Sequence, residues 1–196
     1  MMFDYLLLGL GWMLYLLTHS ALATSQAKNW AAQKAPALAP WYRLLYNAVA
    51  VAGLAALWFW MQQLSGAPLW THPWLSILGA VLLLAGGWLG WTSFRGYHFG
   101  DFAGLRPTPP GFNEHRTLST GGLNRYVRHP LYSATILLVL GWLMIAGNRS
   151  TLTAVAAILV YLPIGIYWEE QKLLKAYGEA YREYARKVKK VIPGVW

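Results

Sequence analysis

The sequence contains no cysteine. That excludes a disulfide framework, a cysteine nucleophile and a thiolate-ligated metal site. Charge is scarce as well: 12% of the 196 residues are Asp, Glu, Lys or Arg, against about a quarter in an ordinary soluble domain. No fixed-period repeat and no low-complexity tract appears, so one domain, 1–196, is enough to account for the chain. The opening Met1-Met2-Phe3-Asp4 lacks the basic n-region of a signal peptide. The apolar stretch behind it is also too long for one, so this segment is expected to stay.

Hydrophobic residues make up 57% of the chain. A bilayer core about 30 Å thick needs roughly 20 apolar residues in a helix. Five runs approach or reach that length: 3–23, 41–63, 74–94, 131–147 and 151–168. The expected fold class is therefore an all-α integral membrane protein with five transmembrane helices. Gly147-Asn148-Arg149-Ser150 separates the last two runs and predicts a tight antiparallel hairpin. Twelve Trp and twelve Tyr suit interfacial belts, as at Trp58, Trp60, Trp70 and Trp74.

The formal charge of +9 raises the question of nucleic acid, but its distribution points to a membrane instead. Of the sixteen basic residues, all but Arg149 lie in or flank the first connection, lie in the long connection 95–130 or follow Glu170. The connection from Ser65 to Pro73 has none. By the positive-inside rule this predicts an external N-terminus, five crossings and a cytoplasmic C-terminus, as in a bacterial-type inner membrane.

Residues 95–130 contain Gly96, Gly100, Gly104, Pro107, Pro109, Pro110 and Gly111, too many breakers for a long helix. A connection of that length is commonly functional or disordered. Beyond the last run, Leu173, Leu174, Tyr177, Tyr181, Tyr184 and Val188 recur at helical spacing over 169–190, with Gly178 as a point of division. In the third run, Gly86 and Gly90 have GxxxG spacing, which reads either as a dimer face or, preferably, as close packing inside one molecule.

Two polar clusters stand out. In Tyr126-Val-Arg128-His129-Pro130-Leu-Tyr132, Pro130 suits the first helical position and pushes His129 out of the helix. Arg128 and His129 then lie at a helix N-terminus, where free N–H groups favour an anion. Glu169 and Glu170 sit at the end of the fifth run, where two carboxylates oppose the helix dipole. They could pair with Arg128 or hold a ligand's amine or hydroxyls. A cationic end facing an anionic end suits a zwitterionic ligand; the bland alternative is that all four residues mark the water boundary.

These residues resemble the isoprenylcysteine carboxyl methyltransferases, whose C-terminal signature is shared with phospholipid methyltransferases. The similar text is His115-Arg-Thr-Leu118-Ser-Thr-Gly121-Gly122, the Arg128-His129-Pro130-Leu-Tyr132 stretch, Glu169-Glu170-Gln-Lys-Leu173, and Gly178-Glu-Ala-Tyr181-Arg-Glu-Tyr184. It covers about the last 85 residues in order and spacing. The resemblance implies S-adenosylmethionine as cofactor, held between the last hairpin and the cytoplasmic segments. It implies cofactor contacts from His115, Leu118, Gly122, Arg128, His129, Tyr132, Glu169, Glu170 and Tyr181, with Arg128, Glu169 and Glu170 closest to catalysis. The implied partners are membrane lipid and a lipophilic or small methyl acceptor: a thiol, a carboxylate or an amine. In one respect the chain departs from that pattern: Gly165-Ile166-Tyr167-Trp168 stands where the prenylcysteine enzymes carry an arginine suited to a substrate carboxylate.

Two other readings compete. Leu17-Thr18-His19-Ser20-Ala-Leu22-Ala23-Thr24-Ser25 resembles the N-terminal text of NnrU-type proteins, relatives of haem-dependent isomerases, and implies a haem between His19 and His129. A structural His19 bonded to a neighbouring carbonyl or tyrosine is the simpler account. The third reading is a non-catalytic scaffold whose basic tail, with Lys187, Lys189 and Lys190, lies on anionic lipid.

Overall fold

The polypeptide folds as a bundle of helices built from the apolar runs. The structure, a computed structural model, describes residues 2–64, 66–95, 100, 103–106 and 118–196. Its helices are α1 (Met2–Leu22), α2 (Ser25–Lys34), α3 (Tyr42–Leu64), α4 (Pro73–Phe94), α5 (Pro130–Ala146), α6 (Arg149–Tyr177) and α7 (Glu179–Lys187). Four of them, α1, α3, α4 and α6, are long and apolar enough to cross a membrane; α5 is equally apolar but has 17 residues. Among the described residues there is no strand, only one isolated bridge between Val127 and Lys189.

Local chemistry sets the boundaries. Pro73 and Pro130 open α4 and α5, where a missing N–H costs nothing. Gly147 ends α5 in the left-handed region at φ 54°, and Asn148 caps α6 by accepting from the Thr151 amide at 2.9 Å. These two adjacent caps produce the expected tight hairpin. Thr24 caps α2 in the same way. Helix α6 has 29 residues, about 44 Å of rise. Since that exceeds the hydrocarbon thickness, its last turns reach past the apolar run, carrying Glu169 and Glu170 with them. Gly178, at φ 54°, then divides α6 from α7 where the sequence places the break.

Two packings hold the bundle. Helix α4 lies against α5 with backbones in contact: a Cβ added at Gly79 would stand 2.7 Å from the Gly141 carbonyl oxygen. Further along, Gly86 faces the backbone of Ala134 and Leu138. The glycines therefore serve close packing within the molecule. On the other side α1 packs on α3 and α6 around Leu8, Trp12, Leu57, Met61, Ala154 and Ala157. Leu10, Leu14, Phe59, Leu84 and Trp88 point outward and are exposed, as lipid-facing residues are. At one end of the bundle, Trp70 Nε1 donates to the Met144 carbonyl at 3.1 Å and Leu69 N to the Gly147 carbonyl at 2.5 Å. The α3–α4 connection is thereby tied to the hairpin tip.

Candidate active site

At the opposite end, Pro130 starts α5 and leaves His129 outside the helical region, at φ −126° and ψ 66°. The backbone donors of Arg128 and His129 are already taken. Residues 188–191 run parallel to 127–129, so that Arg128 N donates to the Lys189 carbonyl at 2.8 Å and His129 N to the Lys190 carbonyl at 2.9 Å. Ser133 Oγ adds a bond to the Val191 carbonyl at 2.7 Å. The C-terminal segment is thus stitched to the start of the hairpin.

Arg128 is the centre of this end. Its Nε and Nη2 donate to Glu170 Oε1 at 2.9 and 2.5 Å, and its Nη1 donates to the Ala185 carbonyl at 2.9 Å and to the Val188 carbonyl. Ala185 is in the last turn of α7 and Val188 follows its end, where carbonyls lack intrahelical partners and welcome a cation. Glu170 Oε1 also accepts from the Tyr181 hydroxyl at 3.2 Å and faces His129 Nε2 at 3.3 Å, while Lys190 Nζ lies 3.5 Å from Oε2. Burial alone would raise the Glu170 carboxyl. The hydrogen bonds from His129 and Arg128, with the charges of Arg128 and Lys190, outweigh it and hold the group at about 2. Burial and the Glu170 charge push Tyr181 up, which keeps its hydroxyl a donor.

Glu169 is different. Its side chain is 45% exposed, and its nearest ionic neighbour, His129 Nδ1, is 3.8 Å away, beyond hydrogen-bonding distance. The Tyr132 hydroxyl lies within its reach. Space for that tyrosine comes from Gly165: a Cβ there would stand 3.3 Å from the Tyr132 oxygen and 3.2 Å from the Tyr161 ring. Tyr161, Gly165 and Glu169 form one stripe of α6, at four-residue spacing.

The structure brings Arg128, His129, Tyr132, Glu169, Glu170 and Tyr181 together. Gly122 begins the turn Gly122–Arg125 next to them, and Leu118 leads into it; His115 lies outside the described residues. The Tyr184 hydroxyl donates to the Asn124 carbonyl at 2.6 Å, fixing this turn to α7. Ser133 and the Asn124 contact escaped the sequence reading, which gave Lys190 only as a contact to anionic lipid. The available signal was the β-branched Val188, Val191 and Ile192 after a helix, which favours an extended segment. His19, near the same end, bonds Tyr46 Oη through Nε2 at 2.8 Å and stacks on Tyr15. Among the described residues, no three His, Asp or Glu side chains are grouped to hold a metal ion.

A bundle of membrane-length helices, with a buried ion-paired cluster beside the start of its last hairpin, marks an integral membrane protein. Residues 74–180 match the family model described as phospholipid methyltransferase, and the chain belongs to that family. It is accordingly a membrane methyltransferase. Among curated relatives, a methanethiol S-methyltransferase of Crocosphaera subtropica is 30% identical over 190 residues, covering 92% of this chain and 71% of the relative. One from Mycobacterium tuberculosis is 31% identical over 195 residues, covering 89% and 72%. A protein-S-isoprenylcysteine O-methyltransferase of Schizosaccharomyces pombe is 35% identical over 82 residues, 41% of this chain and 35% of the relative. No solved structure matches the chain.

Proposed function

We propose that the protein transfers a methyl group from S-adenosylmethionine to the sulfur of a small thiol at the cytoplasmic face of the membrane. The observation that carries the acceptor assignment is the full engagement of Arg128. Its side chain is 8% exposed and bound to Glu170 and to the Ala185 and Val188 carbonyls, so it offers nothing to a substrate carboxylate. The turn before the Glu pair supplies no replacement. Gly165 is closed over by Tyr132 and Tyr161, and the exposed side chains that follow are Tyr167 and Trp168. The near full-length relatives named methanethiol S-methyltransferase support the same reading.

The residues present fit the cofactor. Among the described residues, Glu169 keeps unused accepting capacity for an ammonium group or ribose hydroxyls, and a Cβ at Gly121 or Gly122 would meet nothing within 4 Å. Bound there, S-adenosylmethionine supplies a methyl group on a charged sulfur that leaves as a neutral thioether. The chain's own contributions are positioning and exclusion of water. Glu169 orients the cofactor, Tyr132 orients Glu169, and Leu118 and Gly122 border them from the turn that precedes α5. Arg128, His129, Glu170 and Tyr181 hold α7 and the C-terminal segment in place around that pocket. Glu170, held at about 2 and covered by donors, is unsuited to act as a base. A thiolate acceptor needs none.

Calorimetry of the detergent-purified protein with S-adenosylhomocysteine, followed by an acceptor series, tests this. Micromolar binding, about −8 kcal/mol, with turnover of short alkyl thiols and none of a prenylcysteine is the expected outcome. Absence of binding, or methylation of the prenylcysteine carboxylate in preference to thiols, overturns the assignment.

A further inference from the structure

S-Adenosylmethionine carries a carboxylate, and three basic side chains surround the Glu170 hub that could receive it: Arg128, His129 and Lys190. Two are closed. Arg128 has its donors committed to Glu170, Ala185 and Val188, and the His129 side chain is 2% exposed between the two carboxylates. Lys190 is open. Its side chain is one-third exposed, at 33%, and touches Glu170 through one ammonium contact at 3.5 Å. Its ammonium group is 5.9 Å from the centre of the Trp196 ring, which flanks it on another side. An ammonium has three donors, so a contact with one carboxylate oxygen leaves capacity for a second anion.

The arrangement is a line in which acidic and basic side chains alternate. Glu169, His129, Glu170 and Lys190 follow one another at 3.8, 3.3 and 3.5 Å, with the two middle groups buried and the two ends open. The inner pair, Arg128 with Glu170, neutralises itself. What remains for a ligand is an anion at one end and a cation at the other, which matches a molecule bearing its own opposite charges at a distance. The backbone places Lys190 there for a reason independent of its charge: its carbonyl accepts from His129 N at 2.9 Å, which fixes the residue beside the start of α5.

We infer that Lys190 is the carboxylate-binding residue for the methyl donor. The inference rests on the donor assigned under the proposed function. Its competitor is Lys172, which lies near Glu169 at the other end of the line, together with Lys28.

The test compares affinities for S-adenosylmethionine and its decarboxylated form, which differ by the carboxylate alone, in the wild type and in Lys190→Met, Lys190→Arg and Lys172→Met. Wild-type protein is expected to favour the carboxylated ligand at least tenfold. Lys190→Met should reduce that ratio to near one by weakening S-adenosylmethionine binding, Lys190→Arg should retain most of it, and Lys172→Met should leave it intact. An unchanged ratio in Lys190→Met, or its loss in Lys172→Met alone, overturns the assignment to Lys190. Failure of the wild type to bind either ligand counts instead against the donor, which separates the two readings. A second measurement needs no variant. Acylation of lysines in the wild-type protein should be blocked by S-adenosylhomocysteine at Lys190 and not at Lys187 or Lys189, and equal protection or none at all three overturns the inference.

Discussion

The two adjacent glutamates look interchangeable as letters and differ in every physical respect. Glu170 is inside a ring of donors, with a side chain 14% exposed; Glu169 is 45% exposed, and its ion-pair contact with His129 among the described residues is 3.8 Å long. Glu170→Gln should therefore act on the fold. Removing one member of a buried pair leaves Arg128 uncompensated, at a cost of about 3 kcal/mol, read as a lower unfolding midpoint in detergent and faster proteolysis after residue 178. Glu169→Gln should leave that midpoint in place and weaken S-adenosylhomocysteine binding by about tenfold, or roughly 1.4 kcal/mol. Equal effects of the two substitutions on stability would remove the distinction. The sign of the pH dependence follows from Glu170 as well. Its carboxyl is lowered from 4.5 to about 2, so its stabilising charge is fully present above 4.5 and is lost as pH falls toward 2. Docking of α7, followed by protease susceptibility, should weaken across that window, and Glu170→Gln should abolish the dependence. The sequence made both carboxylates and Arg128 legible as a cluster. It could not say that Arg128 and Glu170 satisfy each other, because spacing along the chain does not rank a ligand against a neighbouring helix.

Glycines that look alike in the sequence also separate at the level of helices. In α4, a Cβ at Gly79 would meet the Gly141 carbonyl at 2.7 Å, whereas one at Gly87 would have nothing within 4 Å. Gly79→Ala forces two backbones apart, and overpacking of this kind costs about 1–3 kcal/mol. Gly87→Ala should be neutral or slightly stabilising, by up to about 1 kcal/mol. Thermal unfolding of both variants in one detergent checks the pair, and a similar loss in each would mean that α4 does not meet α5 along this face. Most elements were readable from hydropathy, since membrane-length runs are long and bounded here by Pro73, Pro130, Gly147 and Gly178. Helix α2 was not anticipated: it is ten residues long and too polar for a run to reveal it. Nor was the pairing of 188–191 with 127–129, because a bridge this short leaves no periodicity to detect. That pairing is nevertheless what sets Lys190 beside Glu170.

For the molecule as a whole, the bonds between distant segments sort the ends of the helices without reference to charge. Tyr5 Oη donates to the Leu64 carbonyl at 2.9 Å, and Leu69 and Trp70 bond Gly147 and Met144, so the start of α1, the α3–α4 connection and the hairpin tip share one end. Tyr42 Oη donates to the Leu22 carbonyl at 2.9 Å, and the Ser20 and Tyr161 hydroxyls bond each other, which puts the end of α1 and the start of α3 toward the end that carries Glu169 and Lys190. The basic residues follow the same division. Arg149 stands at the first end, and Lys28, Arg43, Arg125, Arg128 and the lysines of the C-terminal segment stand at the second. We propose from this asymmetry, by the positive-inside rule, that the end carrying Glu169 and Lys190 faces the cytoplasm. Because the chain has no cysteine, single substitutions report its sidedness cleanly. Ala67→Cys, in the exposed α3–α4 connection, should react with a membrane-impermeant maleimide on intact cells; Glu183→Cys, exposed on α7, should react only after permeabilisation. The reverse pattern would place the cofactor site outside the cell, where a cytoplasmic methyl donor does not reach it, and would remove the proposed function together with the topology.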